Sequence, residues 1–298
     1  MSRRVEISLI VTCYNQRPLI ELVLRSAIAQ QVGVPFEILI CDDGSNDGVL
    51  DTIRACAKSG ADIRYVWQPD RGFRAARSRN NGIRCARGRL LVFVDGDTWM
   101  SPTLLHDHLQ AHQVPRTLGC GVRHTLVTDL CGPALKAEVQ AAVAQPACGE
   151  IDHQRLWLAS ASPWMACLSG NFSFPRSARV YFDEAFETWG SEDRDLAFRL
   201  WRAGYTPRLL DGANAVHVRR PDDGLAQLSH RQVVALIENK CLLRSKYPRG
   251  ELAPSIDMVR RCHLDPGTGV WSFGPRRDAS AETVLAEFSA WKARGSRE

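Results

Sequence analysis

The sequence predicts an α/β fold in which a mainly parallel sheet is flanked by helices and followed by a mostly helical C-terminal extension. Short apolar runs alternate with segments of helical periodicity along the first third of the 298-residue chain. Such alternation favours parallel strands joined by right-handed crossover helices. The composition, with 45% hydrophobic and 24% charged residues, is that of a globular protein, so we expect a full hydrophobic core.

The predicted elements follow one another in a regular order. Strands are predicted where apolar residues run together, and helices where they recur every third or fourth position. In the first third these rules predict strands at 5–13, 36–41, 63–68 and 90–94, separated by helices at 17–31, 48–59 and 75–86. Later elements are a strand at 118–128, helices at 192–201, 230–247 and 280–293, and a linker or active-site loop at 221–224.

Polar residues follow each of the first four predicted strands. The carboxyl ends of parallel strands meet at one edge of a sheet, and ligands of such sheets bind there. The residues at this edge are Thr12, Tyr14, Asp42, Asp43, Asp70, Arg71, Asp95, Gly96 and Asp97. A single Asp or Gly is common in a surface turn, but the grouping of these residues after all four strands indicates a binding site.

The sequence Asp95-Gly96-Asp97 suggests a metal at that edge. It places two carboxylates directly after a buried strand, and Gly96 permits close approach. Carboxylate oxygens suit Mg²⁺ or Mn²⁺, and these cations can bridge a diphosphate. The spacing therefore predicts a phosphate-bearing ligand that is held through a cation.

The charge of the chain is unevenly distributed. The formal net charge is +5, from 38 Lys and Arg against 33 Asp and Glu. Seven arginines and no acidic residue fall in residues 71–89. Such a cluster suits a compact anion such as a diphosphate, but a solvated helix face is equally consistent with it. The remaining arginines are interleaved with acids, which disfavours a nucleic-acid-binding surface.

Missing motifs disfavour several other classes of protein. No GxGxxG follows the first strand and no GxxxxGK[ST] occurs, which disfavours a Rossmann dehydrogenase and a P-loop NTPase. Ten cysteines without a CxxC pair are typical of reduced thiols rather than of a disulfide framework or a zinc site. The chain shows no signal-peptide pattern and no apolar run near 18 residues. We therefore expect a cytoplasmic protein, although its last helices could pack on the core, join a dimer or touch a membrane surface.

A second group of polar residues lies further along the chain. Glu192 and Asp193 begin a predicted helix, where the helix dipole stabilises acidic side chains. Trp189 and Gly190 come just before them, and an exposed aromatic ring beside carboxylates commonly forms a platform for a sugar. This stretch therefore predicts a pocket for a carbohydrate.

The helix that begins at Glu192 has a predicted inward face. Leu196, Leu200 and Trp201 are expected to point into the core. This orientation would leave Asp193 and Asp195 free for other roles.

Taken in order, these motifs resemble those of glycosyltransferase family 2 enzymes with the GT-A fold, which has a mainly parallel Rossmann-like sheet. The resemblance covers residues 5–218 and rests on VTCYN, CDDGSNDG, RGFRAARSRNNGIRCARG, LLVFVDGD, SGNFSF and TWGSEDRDLAFRL. The last two resemble the carboxyl-terminal half of galactosyltransferase-like and polypeptide GalNAc-transferase-like domains. The resemblance implies a nucleotide-sugar-binding half at 1–115, an acceptor-binding half of the same domain at 116–219 and a helical extension at 220–298.

The resemblance also implies roles for individual residues. Those implied at the nucleotide-sugar donor are Thr12, Tyr14, Asp42, Asp43, Arg71, Arg79, Asn80, Asp95 and Gly96. Those implied at a Mn²⁺ or Mg²⁺ ion are Asp97, His217 and Asp95. Those implied in the pocket for the sugar and the acceptor are Gly170, Asn171, Trp189 and Gly190. Asp193 would be the catalytic base, and Glu192 would bind acceptor hydroxyls.

The implied function is that of an inverting, metal-dependent glycosyltransferase. A sugar would move from a nucleotide sugar, with UDP favoured, to a hydroxyl group of a glycan, a lipid-linked acceptor or a small molecule. Two other classes stay open at this point. A non-catalytic nucleotide-sugar-binding module would be expected to lack one of the two acidic pairs. A sugar-nucleotide pyrophosphorylase would be expected to have a Gly-rich basic loop where this chain has TCYNQRP.

Overall fold

The computed structural model describes residues 4–144, 148–221 and 228–295. Within these ranges the chain forms an eight-stranded sheet, a two-stranded sheet and flanking helices. Residues 222–224 of the predicted loop lie outside the described residues.

The large sheet confirms the predicted α/β class. Its strands are β1 (Ile7–Cys13), β2 (Phe36–Asp42), β3 (Ile63–Trp67), β4 (Leu90–Asp95), β5 (Thr98–Met100), β6 (Thr117–Val127), β7 (Asn171–Pro175) and β8 (Thr206–Arg219), and the small sheet consists of β9 (Cys262–Leu264) and β10 (Trp271–Phe273). The order in the large sheet is β3-β2-β1-β4-β7-β6-β8-β5. Neighbours among β3, β2, β1 and β4 are parallel, as are β6 and β8, whereas β7 and β5 are antiparallel to their neighbours.

The helices cover the faces of the large sheet and form most of the C-terminal extension. They are α1 (Arg17–Ile28), α2 (Val49–Ala57), α3 (Ala75–Cys85), α4 (Leu104–Ala111), α5 (Gly132–Ala144), α6 (Cys148–Leu158), α7 (Glu192–Arg202), α8 (His230–Lys246), α9 (Ala253–Ile256) and α10 (Ala281–Ala293). The largest boundary difference in the first third is at the end of α1, which was predicted at 31 and lies at Ile28.

The strand β1 is buried on both faces, which explains its continuous apolar sequence. Successive side chains of a strand point to opposite faces. Leu9 and Val11 therefore pack in one core with Ile20 of α1, while Ile10 packs in a second core that also contains Phe93 of β4. The two cores hold the carboxyl ends of β1 and β4 side by side.

The C-terminal helices pack on the second core, which is the first of the outcomes expected for them. Val233 and Leu236 of α8 and Phe288 of α10 are buried in the cluster that contains Phe93. The nine cysteines whose side chains are described are free thiols. Across the described ranges, no helix is both long enough and apolar enough to cross a bilayer.

Candidate active site

The carboxyl ends of β1 and β4 form the floor of the candidate site. Thr12 pairs with Asp95 in the parallel register, and its carbonyl oxygen accepts a 2.7 Å hydrogen bond from the backbone N–H of Gly96. A Cβ atom at Gly96 would lie 2.3 Å from Oε1 of Gln16 and 2.8 Å from Cβ of Cys13. Glycine is therefore needed here because two parts of the chain approach each other closely.

Asp97 and His217 come together because β5 and β8 pair. The register places Thr98 opposite His217, and Oδ2 of Asp97 lies 3.4 Å from Nε2 of His217. The same oxygen accepts a 2.9 Å hydrogen bond from the amide of Gln16. Burial acts to raise the pKa of Asp97, but the contacts with His217 and Thr98 outweigh it and lower the pKa. The carboxylate form is therefore favoured.

Asp95, Asp97 and His217 could bind a divalent cation only if a ligand supplied further coordinating atoms. Asp97 and His217 offer an oxygen and a nitrogen, whereas one oxygen of Asp95 is already paired with Arg79. In the described part of the chain, no three His, Cys, Asp or Glu side chains are grouped closely enough to hold a metal. Mg²⁺ is commonly held by one or two carboxylates together with substrate phosphates. The donor set suits a cation whose coordination a diphosphate completes.

Arg79 joins this edge to the start of α7. Its guanidinium nitrogens lie 2.9 Å from Oδ1 of Asp95 and 2.8 Å from Oε1 of Glu192, and the residue is 4% exposed. Burial alone would lower the pKa of Arg79, but the two carboxylates raise it. Arg71 or Arg79 was expected to approach a diphosphate, and of the two Arg79 already shares its charge between two acids of the chain.

Glu192 and Asp193 lie in the first turn of α7 and differ in their surroundings. Glu192 is 5% exposed, and its Oε2 is buried without a hydrogen-bond partner. Burial first, and then the nearby charge of Asp193, raise the pKa of Glu192. Asp193 is only partly buried, and its Oδ1 accepts a 2.8 Å hydrogen bond from the backbone N–H of Arg194. Asp193 is therefore the more accessible of the two acids.

The segment 188–191 turns sharply before α7. Gly190 has a φ of 89° and Ser191 has a φ of 85°. Both values lie in the left-handed region, which residues other than glycine rarely adopt. Trp189 is 41% exposed at this turn. Its ring is accessible to a ligand beside the two acids.

Tyr14, Asp70 and Arg71 lie on the loops that follow β1 and β3. Tyr14 is 46% exposed, and its hydroxyl donates a 3.0 Å hydrogen bond to Oδ2 of Asp70, which raises the pKa of Tyr14. Arg71 is exposed on the same loop as Asp70. This end of the site presents an aromatic ring and a cation to solvent.

The arginines of residues 71–89 do not face one common anion. Five of the seven form ion pairs with carboxylates of the chain, which leaves Arg71 and Arg77 without such a pair among the described residues. The five are Arg74, Arg79, Arg84, Arg87 and Arg89. Acids from other elements therefore neutralise most charges of this segment, and a diphosphate contact stays a prediction for Arg71.

Asp42 and Asp43 organise the loop after β2. Asp42 is fully buried and accepts hydrogen bonds from the backbone N–H of Ser45 at 2.8 Å and from the hydroxyl of Tyr65 at 2.5 Å. Asp43 is 3% exposed and accepts a 2.6 Å hydrogen bond from the amide of Gln68. Burial raises the pKa of Asp43. These hydrogen bonds use the carboxylate oxygens inside the protein, and the nucleobase or ribose contact implied for Asp42, with Asp43 beside it, stays a prediction.

Asn80 and Asn171 are also interior residues. The Asn80 amide donates a 2.9 Å hydrogen bond to the carbonyl of Phe182, and Asn80 is 1% exposed. The Asn171 amide donates to the carbonyls of Val122 at 2.9 Å and Ala213 at 2.8 Å, and Asn171 is 2% exposed. This burial does not favour the positions implied for Asn80 near the diphosphate and for Asn171 in the pocket, which stay predictions. Each amide instead satisfies buried backbone groups.

Asp195 is fully buried, contrary to the prediction that it is free. It pairs with Nε of Arg199 at 2.8 Å, accepts a 2.7 Å hydrogen bond from the hydroxyl of Tyr247 and forms an ion pair with Lys246. The prediction for Trp201 is also wrong, because Trp201 is 36% exposed. The inward face of α7 therefore includes Asp195, whose partners are Arg199 of α7, Lys246 of α8 and Tyr247 directly after α8.

Three residues that contact the candidate site were not predicted from the sequence. Gln16 holds the carboxylate of Asp97, while Asn239 and Lys240 of α8 contact the turn before α7. The position of Gln16 soon after the first strand was the one local signal available. Asn239 and Lys240 lie far along the chain, and no pattern in their neighbourhood points to the site.

The sequence comparisons agree with the motifs. The chain matches the family described as Glycosyl transferase family 2 over residues 8–161, just over half of its length. It is 29% identical to a hyaluronan synthase from Pasteurella multocida over 244 residues, which is 74% of this chain and 25% of the relative. It is 30% identical to a validoxylamine A glucosyltransferase from Streptomyces hygroscopicus subsp. limoneus over 251 residues, 74% of this chain and 54% of the relative. The chain thus spans between a quarter and about half of the length of these relatives.

Solved structures share the fold. A mannosyltransferase from Pyrobaculum calidifontis, PcManGT, in complex with GDP-Man and Mn²⁺ superposes with a TM-score of 0.59 at 17% identity, over 100% of this chain and 77% of that structure. S. aureus TarS 1–349 in complex with UDP superposes with a TM-score of 0.55 at 16% identity, over 85% of this chain and 71% of that structure. At these identities the likeness establishes the fold.

Proposed function

We propose that this chain, which belongs to glycosyl transferase family 2 and has the GT-A fold, moves a sugar from a nucleotide sugar to an acceptor hydroxyl, with Asp193 as general base. One observation carries this proposal. The guanidinium group of Arg79 bonds to both Asp95 and Glu192, so the end of β4 and the start of α7 face one site. The reaction needs carboxylates in two roles at one site. Some would hold the cation that binds the donor phosphates, and another would take the proton of the acceptor.

The donor would lie along the carboxyl ends of β1 to β4. Structural neighbours were solved with UDP, UDP-GlcNAc and GDP-Man, which supports a nucleoside diphosphate as the leaving group, and UDP is our first choice. The exposed ring of Tyr14 would stack on the nucleobase, with Thr12 beside it. Arg71 would supply positive charge to the diphosphate from the loop after β3.

Asp97 and His217, with Asp95 beside them, would hold Mg²⁺ or Mn²⁺. When bound, the cation would stabilise the negative charge that develops on the departing diphosphate. The Gln16 amide fixes the Asp97 carboxylate by its 2.9 Å hydrogen bond. The Mn²⁺ in the structure of the P. calidifontis enzyme supports this choice of cation.

Asp193 would take the proton of the acceptor. The acceptor oxygen forms a bond to the anomeric carbon as the bond from that carbon to the phosphate oxygen breaks, and the proton passes to Asp193. Attack from the face opposite the leaving group inverts the anomeric centre. The N–H of Arg194 fixes one oxygen of Asp193. The unpartnered Oε2 of Glu192 would accept a hydrogen bond from the acceptor, and Trp189 would line its pocket.

The test measures release of nucleoside diphosphate from a panel of UDP- and GDP-linked sugars with Mn²⁺ and candidate acceptors. We expect Asp193→Asn to lower turnover at least about 100-fold, because a positioned base contributes on this order. Its Kd for the nucleotide sugar should stay within about twofold of the wild-type value. Asp211→Asn, which changes an exposed carboxylate on β8, is the matched control and should keep wild-type turnover.

Each part of the proposal can fail separately. Near-wild-type turnover of Asp193→Asn would remove Asp193 as the base. Undiminished transfer in excess chelator would contradict the cation. A product that retains the anomeric configuration of the donor, read from NMR coupling constants, would contradict inversion.

A further inference from the structure

We propose that Asn239 and Lys240 of α8 are positioning residues that hold the turn 188–191, and with it Trp189 and Asp193, in the conformation that receives the acceptor. The role of the turn rests on the proposed function. The contacts that hold it are independent of that function, and they can be tested without activity.

Asn239 holds the backbone of the turn. Its side-chain amide donates to three successive carbonyl oxygens, of Thr188 at 3.1 Å, Trp189 at 3.1 Å and Gly190 at 2.6 Å. An amide nitrogen carries two hydrogens, so the three carbonyls converge on one donor. This convergence bends the chain into the left-handed conformations seen at Gly190 and Ser191. Strained backbone of this kind persists only where surrounding contacts over-determine it, and Asn239 supplies such contacts.

Lys240 holds the last residue of the turn. Its Nζ donates to Oγ of Ser191 at 2.7 Å and to Oγ of Ser255 at 3.2 Å. Ser191 is the N-cap of α7, a position where a serine side chain commonly accepts a hydrogen bond from the helix N–H groups. Ser191 forms no such bond, because its hydroxyl is turned towards Lys240. The start of α7 is therefore oriented from α8, whose Leu236 is anchored in the core.

The charge of Lys240 acts on the acids at the start of α7. Lys240 is 4% exposed and is faced by Glu192, Asp193 and Arg194 from α7 and by Cys262 from β9. Burial first, and then the charge of Arg194, lower the pKa of Lys240 to about 8, against the opposing effect of the acids. At neutral pH the ammonium group is therefore charged, and it places a positive charge beside the acids at the start of α7.

The first test is hydrogen exchange in the full chain. Asn239→Leu and Lys240→Met remove the donors, and Arg231→Gln removes an exposed cation of α8 as the matched control. We expect amides in the peptide 188–195 to exchange at least about tenfold faster in the first two variants, with β1 and β4 unchanged. Unchanged exchange in this peptide would overturn the proposal whatever the activity.

The second test separates acceptor from donor. Asn239→Leu should raise the acceptor KM and lower kcat, together about tenfold in kcat/KM, while the nucleotide-sugar Kd stays within about twofold. Lys240→Met should move the acidic limb of the kcat/KM profile to higher pH, because removing a nearby cation raises the pKa of a carboxylate. Lys240→Arg keeps the cation and should leave that limb in place.

The outcomes distinguish this proposal from the proposed function. Equal losses in donor binding and acceptor kinetics, or an unmoved acidic limb in Lys240→Met, would overturn the positioning role. Faster exchange at 188–195 with wild-type acceptor kinetics would also overturn it. One further outcome is that the wild-type protein transfers no sugar while hydrogen exchange at 188–195 still becomes faster in the two variants. The proposed function would then fail, but the contacts of Asn239 and Lys240 with the turn would be supported.

Discussion

Gly170 sets the space around the carboxylate of Asp95. A Cβ atom at this position would lie 3.0 Å from Oδ2 of Asp95 and 3.3 Å from a guanidinium nitrogen of Arg123, both closer than ordinary van der Waals contact. The other oxygen of Asp95 bonds to Arg79, so the carboxylate cannot turn away without losing an ion pair. The missing side chain of Gly170 therefore leaves room for the carboxylate of Asp95, and the implied role of Gly170 in the pocket stays a prediction.

We expect Gly170→Ala to weaken nucleotide-sugar binding by roughly fivefold, or about 1 kcal/mol, because it displaces Asp95. Isothermal titration with UDP-sugars in the presence of Mn²⁺ measures this Kd. Gly267→Ala is the control, since its Cβ would meet only the tip of the exposed Asp265 side chain. Equal Kd values for Gly170→Ala and the wild-type protein would show that the methyl group is accommodated.

The acids of the site show what residue identity alone leaves undecided. Asp42 and Asp193 each belong to a pair of adjacent acids, yet Asp42 is fully buried and Asp193 is partly accessible. The position after a strand or at a helix start predicted where acids gather. Their accessibility depends on side chains from elsewhere, such as the Tyr65 hydroxyl that covers Asp42.

At the scale of elements, Arg79 ties α3 to both β4 and α7. Its two ion pairs use different nitrogens of one guanidinium group, with Asp95 on one and Glu192 on the other. A lysine is a point charge on a flexible stem and cannot reproduce this planar fork. The junction of the three elements therefore depends on arginine.

Arg79→Lys should lower the free energy of unfolding by about 2 kcal/mol, because one buried carboxylate is left without its partner. Urea unfolding followed by circular dichroism measures the loss. Arg77→Lys, an exposed change on the same helix, should stay within about 0.5 kcal/mol of the wild-type value. Equal stability of the two variants would mean that lysine bridges both acids.

The elements differ in how far their own sequences predict them. The first four strands and three helices were predicted because each carries its periodicity in consecutive residues. The strands β5 and β7 were not predicted, because they are short and pair with distant segments. His217 was assigned to the metal by resemblance, and the pairing of β5 with β8 brings it to 3.4 Å from Asp97.

At the scale of the whole molecule, the buried His108 and the half-buried His112 link stability to pH. Nε2 of His108 lies 2.9 Å from Oδ1 of Asn171, and Oγ of Ser173 lies 2.7 Å from Nδ1 of His108 and 2.8 Å from Nε2 of His112. Burial lowers the pKa of His108 to about 4 and that of His112 to about 3. Both imidazoles are neutral in the folded protein at neutral pH.

The stability should therefore fall as the pH drops from 6.5 towards 4. In this window the unfolded chain protonates both histidines and the folded chain does not, so the unfolded state binds more protons. We expect a net fall of about 3 kcal/mol in the free energy of unfolding between pH 6.5 and 4.5. Asp43 and Glu192, whose pKa values are raised, oppose this fall. Urea unfolding across this range measures the slope.

A glutamine variant isolates the histidine contribution. In His112→Gln the amide nitrogen can replace Nε2 as the donor to Ser173, and the pH slope should fall by about half. His106→Gln, an exposed change on α4, the helix that ends just before His112, should leave the slope unchanged. A stability that is flat from pH 6.5 to 4.5 in the wild-type protein would contradict the assignment.

The sequence by itself determined the α/β class, the family and the edge of the sheet where polar residues gather, because periodicity and strand-end position are carried by consecutive residues. Only the tertiary structure decided which of these residues stay accessible. It neutralised most of the arginines of 71–89 with acids from other elements, and it brought Asn239 and Lys240 to the turn before α7. Burial and pairing arise between residues far apart in the chain, so no local pattern encodes them.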